Sequence, residues 1–137
     1  MTKQLWINLP VKDIEKSKEF FTKIGFSFDE RYINSEGASL VIGDKNIIVM
    51  LFKESSFKKF TGNEIPDIKQ GTEVLFSFDA ETKDEVNEMA KKVISAGGTI
   101  YAQAEESDSW MYGFGFADLD GHRWNMLYMD MSKMPKQ

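Results

Sequence analysis

The chain has 137 residues, 42% hydrophobic and 13% aromatic with 11 Phe, a globular composition large enough for one domain with a real core. Its net charge of -5 leaves no basic stripe to neutralise phosphates, so a nucleic-acid partner is not expected. The lack of cysteine excludes disulfides, thiolate metal sites and cysteine nucleophiles. No signal peptide or spanning segment is read from the sequence, so no membrane partner is expected and the cytoplasm is the expected compartment.

Taken in chain order, Leu5 to Val11 reads as a strand, with Pro10 favouring a sheet edge where its missing N–H costs nothing. Asp13 is a good N-cap for a helix running to Ile24, with Ile14, Phe20, Phe21 and Ile24 on one face and Gly25 as its left-handed stop. Ser35-Glu36-Gly37 and Gly43-Asp44-Lys45-Asn46 are turn signals between strands, the last strand being Ile47 to Phe52. Residues 55–71 read as a linker, with Phe57 and Phe60 suited to pinning a short helical turn onto the body. Val74 to Phe78 is then a strand. Thr82 and Glu85 have capping-box spacing ahead of a helix from Lys83 to Ala96, whose stripe is Val86, Met89, Ala90, Val93 and Ile94. Gly97 and Gly98 stop it. Asp118-Leu119-Asp120-Gly121 is a further turn, and Trp124 to Met129 the closing strand.

The same β-α-β-β-β pattern therefore occurs twice. Module 1 spans about 3–54 and module 2 about 72–131, within a single domain of 1–137. The expected fold class is α+β, with two βαβββ modules and a helix covering one face of each sheet.

These residues resemble the vicinal oxygen chelate superfamily, the glyoxalase/bleomycin resistance/dioxygenase fold. The resemblance rests on Ile7-Asn8-Leu9-Pro10-Val11-Lys12-Asp13 running into Ser17-Lys18-Glu19-Phe20-Phe21, then Ile24-Gly25-Phe26. At the other end it rests on Phe116-Ala117-Asp118-Leu119-Asp120-Gly121-His122. It is most similar to a bacterial glyoxalase-like branch with Asn-Leu-Pro-Val near the start and Met-Tyr-Gly before the last turn. The resemblance implies four metal-ligand positions, held here by Trp6, Met50, Glu73 and Asn125. Indole cannot ligate, a thioether is too soft for the hard divalent ions of this chemistry, and Asn is a weak ligand. Only Glu73 is a convincing ligand, so no metal and no other cofactor is expected.

The remaining motifs have structural readings. His122, the only histidine, suits a turn role. Asp118 and Asp120 lack the later glutamate and glycine spacing of a calcium loop.

Strand alternation puts Asn8, Phe52 and Leu75 on the same faces as the four inherited positions, with Gly113 and Gly115 beside them. The candidate ligand-binding set is thus Trp6, Asn8, Met50, Phe52, Glu73, Leu75, Gly113, Gly115 and Asn125. Trp6, Met50 and Phe52 suit a core equally well. Glu73 suits a surface carboxylate paired with a lysine such as Lys69, and the two glycines suit relief of crowding beside aromatics. Two functions remain open. One is a metal-independent protein that holds a small molecule in an apolar cavity. The other is a glyoxalase-type lyase or dioxygenase with an atypical site. The resemblance also implies a homodimer, and exposed-looking Trp110, Met129, Met131 and Met134 agree with one.

Overall fold

In the computed structural model, which describes residues 1–32, 35–44 and 47–135, eight strands and three α-helices follow the expected order. Module 1 holds β1 (Ile7–Val11), α1 (Ile14–Lys23), β2 (Ser27–Phe28), β3 (Gly37–Ile42) and β4 (Ile47–Lys53), followed by α2 (Glu54–Thr61). Module 2 holds β5 (Leu75–Ala80), α3 (Lys83–Ala96), β6 (Thr99–Ser107), β7 (Met111–Ala117) and β8 (Arg123–Met129). The fold is α+β with two βαβββ modules. Each makes a four-stranded mixed sheet, ordered β1-β4-β3-β2 and β5-β8-β7-β6. Two compact units, Met1–Asp67 and Ile68–Gln137, contain one sheet each.

The helices begin and end where local chemistry directs. The Asp13 carboxylate accepts the Lys16 N–H, and the Thr82 hydroxyl accepts the Glu85 N–H, both at N-cap positions. The Glu85 side chain reaches back past the cap to the Glu81 N–H. Gly25 and Gly97 have φ of 108° and 99°, the left-handed conformation that ends a helix. β1 is an edge strand, so Pro10 leaves no ladder bond unmade.

In module 1, Phe20 and Phe21 of α1 and Ile24 at its C-cap are buried, as are the inward side chains Leu9, Ala38, Leu40, Val49 and Leu51. In module 2, Val86 and Val93 of α3 cover the face carrying Phe78, Phe114, Phe116 and Trp124. Phe116 and Trp124 stack there with ring planes 8° apart.

Three expectations are corrected. The segment read as a linker from 55 contains most of α2. This helix has no side-chain N-cap bond at Lys53 but ends on Gly62 in the left-handed region, with Phe60 packed edge-on to Phe52 at 5.0 Å. Leu5 lies outside β1 and is exposed. Ile94 leaves the α3 stripe and is 63% exposed, because the helix turns it past the sheet that buries Val86 and Val93. Of the expected turn Gly43-Asp44-Lys45-Asn46, Lys45 and Asn46 lie outside the described residues, while Gly43 has φ of 75°.

The turn between β7 and β8 is held by one buried carboxylate. Asp118 Oδ1 accepts the N–H groups of Asp120 and His122, and Oδ2 accepts the Trp124 indole N–H at 3.1 Å. Burial pushes the Asp118 carboxyl above the usual carboxylate range, against the His122 charge and the Trp124 hydrogen bond, which favour its ionised form. The Asp118-Gly121 segment is therefore a turn staple, and His122 is buried within it. Replacing Asp118 with Ala strands three N–H donors and should lower unfolding stability by about 3 kcal/mol in urea denaturation. A loss below about 1 kcal/mol would mean that water substitutes for the carboxylate.

Candidate functional site

The side of each sheet away from its helix carries the candidate residues. On module 1, β4 supplies Ile48, Met50 and Phe52, alternating with the buried Val49 and Leu51. The register sets Asn8, Met50 and Ser39 in one row across β1, β4 and β3, and Pro10, Phe52 and Gly37 in the next. A Cβ on Gly37 would lie 2.7 Å from the Phe52 ring, so the glycine lets that ring lie across its strand. The Ser39 hydroxyl, on a side chain shut away from solvent, donates to Met50 Sδ at 2.9 Å.

Ser39, Ile48, Met50 and Phe52 floor a cleft of about 820 Å³. Trp6 and Asn8 form one side, and Ser27 and Val41 continue the floor. Gln4, Asp29 and Arg31 complete the lining, the last two being its only charged members among the described residues. The Arg31 guanidinium grips the Asp29 carboxylate as a fork, Nε to Oδ1 at 3.1 Å and the terminal nitrogen to Oδ2 at 2.9 Å. The Arg31 backbone N–H also reaches Oδ1. This pairing holds the Asp29 carboxyl below the usual carboxylate range.

Four of the expected residues, Trp6, Asn8, Met50 and Phe52, thus come together here. Sequence reading missed Gln4, Ser27, Asp29, Arg31, Ser39, Val41 and Ile48. The alternation of Ser39 and Val41 with Ala38 and Leu40 was an available signal, as was the acid-x-arginine spacing of Asp29 and Arg31.

Leu75, Gly113, Gly115 and Asn125 lie on the open face of module 2, where β7 opposes Gly113 to Leu127 and Gly115 to Asn125. The room beside the two glycines is taken by the protein itself. A Cβ on Gly115 would overlap the Tyr101 ring, and one on Gly113 would meet the Met126 carbonyl and the Leu127 side chain. Tyr101 reaches that position from an irregularity in β6, where the register shifts between Ile100 and Ala102. The Arg123 guanidinium stacks 4.1 Å over the Tyr101 ring. Partial burial holds the Tyr101 phenol above its ordinary pKa, with the Arg123 charge acting the other way. Asn125 Oδ1 is buried and meets no hydrogen-bond partner among the described residues.

Glu73 lies in an exposed bend before β5. This exposure suits a surface carboxylate and not a residue enclosed in a cavity.

The family model for the bleomycin resistance protein-like N-terminal region matches residues 3–42. A hypothetical protein from S. aureus superimposes with a TM-score of 0.83 at 30% identity, over 93% of this chain and 94% of that one. A glyoxalase/bleomycin resistance protein/dioxygenase family enzyme from Burkholderia phytofirmans gives 0.78 at 18% identity, over 91% and 97%. The chain belongs to the glyoxalase/bleomycin resistance/dioxygenase superfamily. A fosfomycin resistance protein from Listeria monocytogenes shares the fold, with a TM-score of 0.70 at 16% identity over 97% and 98%. No curated protein matches the sequence.

Superfamily membership raises the question of a metal, and the donor set does not fit one. Trp6 offers no lone pair to a cation, and Met50 offers a soft sulfur already accepting the Ser39 hydroxyl. Among the described residues, no three His, Cys, Asp or Glu side chains come together as a ligand group. No helix among them is long and apolar enough to cross a membrane.

The packing of Tyr101 over Gly115 is directly testable. Gly115→Ala should cost about 1–3 kcal/mol, the usual scale of overpacking. In a Tyr101→Ala background the same change should cost much less, which a double-mutant cycle in urea reads as coupling. Equal costs in both backgrounds would show that the ring does not occupy that space.

Proposed function

We propose that the protein binds a small molecule in the module 1 cleft without a metal and without bond-making chemistry. The observation that carries this reading is the cleft itself. It has an apolar floor of Ile48, Met50 and Phe52, with Trp6 beside it and a few polar groups from Asn8, Ser27 and the Asp29–Arg31 pair. Binding sites for small ligands have this makeup and this range of size. Trp6 is 56% exposed, and a large aromatic left in water at the edge of a cleft supports a role in covering a ligand. On module 2, Leu75 and Asn125 form a second surface in this proposal, with Glu73 at its margin. The glyoxalase-type enzyme is the weaker reading, because the inherited positions lack the ligands that its electrophilic metal requires.

Native mass spectrometry of protein purified without chelator tests the proposal. Met50→Trp fills the cleft from its floor and should abolish retention of any co-purified small molecule, while the fold survives. Added zinc, nickel or manganese should leave the melting temperature unchanged. No lyase turnover of a glutathione hemithioacetal should appear with these ions or with iron. A stoichiometric divalent ion, or metal-dependent turnover, would replace this reading with the enzyme.

We also propose a homodimer in the cytoplasm. Met129, Met131 and Met134 are exposed near the end of module 2, and clustered apolar surface supports an interface. Light scattering at micromolar concentration should give twice the chain mass of 15.7 kDa. A single-chain mass would count against pairing.

A further inference from the structure

We infer that the module 1 cleft selects an amphiphilic anion, a planar apolar body bearing a carboxylate or similar oxyanion that docks on Arg31. The inference rests on the reading of that cleft as a binding site. The chain has 15 lysines and only two arginines, Arg31 and Arg123. Arg31 lines the cleft, and Arg123 lies on the open face of the other sheet. Arginine differs from lysine in presenting a rigid planar fork that matches an oxyanion edge to edge.

Asp29 determines which charge of the pair a ligand meets. Its side chain is 19% exposed, and both of its oxygens are engaged by Arg31. The Arg31 side chain is 78% exposed. The carboxylate therefore acts as the support and the guanidinium as the presented group. Held at Nε and one terminal nitrogen, the guanidinium keeps a fixed plane and loses less freedom when a second oxyanion arrives. Among the described residues, the rest of the lining is neutral, with no lysine to compete for the anion. Trp6, Met50 and Phe52 supply flat or adaptable apolar contact for the body of such a ligand. The chain's net charge of -5 gives an anion no long-range attraction, so the preference has to come from contact at this one group.

Isothermal titration of the intact protein with three matched probes tests this: 2-naphthoate, 2-naphthamide and 2-naphthylmethylammonium. The naphthoate should bind about tenfold more tightly than either of the others. Arg31→Gln should remove that preference, and because the side chain is exposed its melting temperature should not change. Arg31→Lys, which keeps the charge and loses the fork, should retain only part of the preference. Equal affinity for all three probes, or a preference that survives Arg31→Gln, overturns the inference while leaving the cleft as a binding site. No binding of any probe overturns the inference and the cleft reading together.

Discussion

Strands present side chains alternately to two faces, and each four-stranded sheet here has one long helix lying against it. The rest of the molecule depends on that shortage of cover. Residues facing α1 or α3 are free to be fully apolar, and Phe20, Leu40, Val86 and Trp124 are accordingly shut away from water. Residues on the other face must either tolerate water, be covered by their own neighbours, or await something else. The contrast between Leu51 and Met50 follows from this. They are adjacent on β4, yet one is fully buried and the other floors a cleft.

The two modules resolve their open faces differently although their topology repeats. Module 2 covers part of its own. An irregularity in β6 lifts Tyr101 over Gly115, and Arg123 lies on the ring. In module 1, the short β2 leads into the Asp29–Arg31 pair at the cleft wall. A repeated architecture has thus diverged by the placement of a few side chains, with the Tyr101–Arg123 pair on one open face and the Asp29–Arg31 pair beside the other. This agrees with the general rule that function resides in sites carried by a fold, and not in the fold itself.

The sequence was most legible where a local chemical signal coincided with a periodic one. Asp13 and Thr82 at N-caps, with glycines at the far ends, marked α1 and α3 to within a residue or two. α2 was less legible because Lys53 caps it without a side-chain bond, and because its lysines and serines suit a loop as well as a helix. Its signals were the left-handed Gly62 and the three-residue spacing of Phe57 and Phe60. On the open faces, the family resemblance brought out Trp6 and Met50, and alternation from them added Asn8 and Phe52. Alternation could not reveal Asp29 and Arg31, because β2 is two residues long and sets no period. Nor could it reveal Tyr101, since a register shift cancels the parity on which such reasoning depends.

Met50 connects this history of side-chain placement to chemistry. A hard ligand at the centre of the sheet would draw a divalent ion and with it the means to polarise a carbonyl. The thioether there has the opposite character, being polarisable, flexible and nearly indifferent to hydration. It is anchored by the buried Ser39 hydroxyl, so the floor keeps a defined shape without offering a charge. Phe52 beside it is held flat by Gly37 below and Phe60 at its edge. A floor of this kind can discriminate ligands by shape and apolar area but does little to activate a bond. Whatever polar selectivity the cleft has must therefore come from its wall, and among the described residues the charged groups on that wall are the Asp29–Arg31 pair.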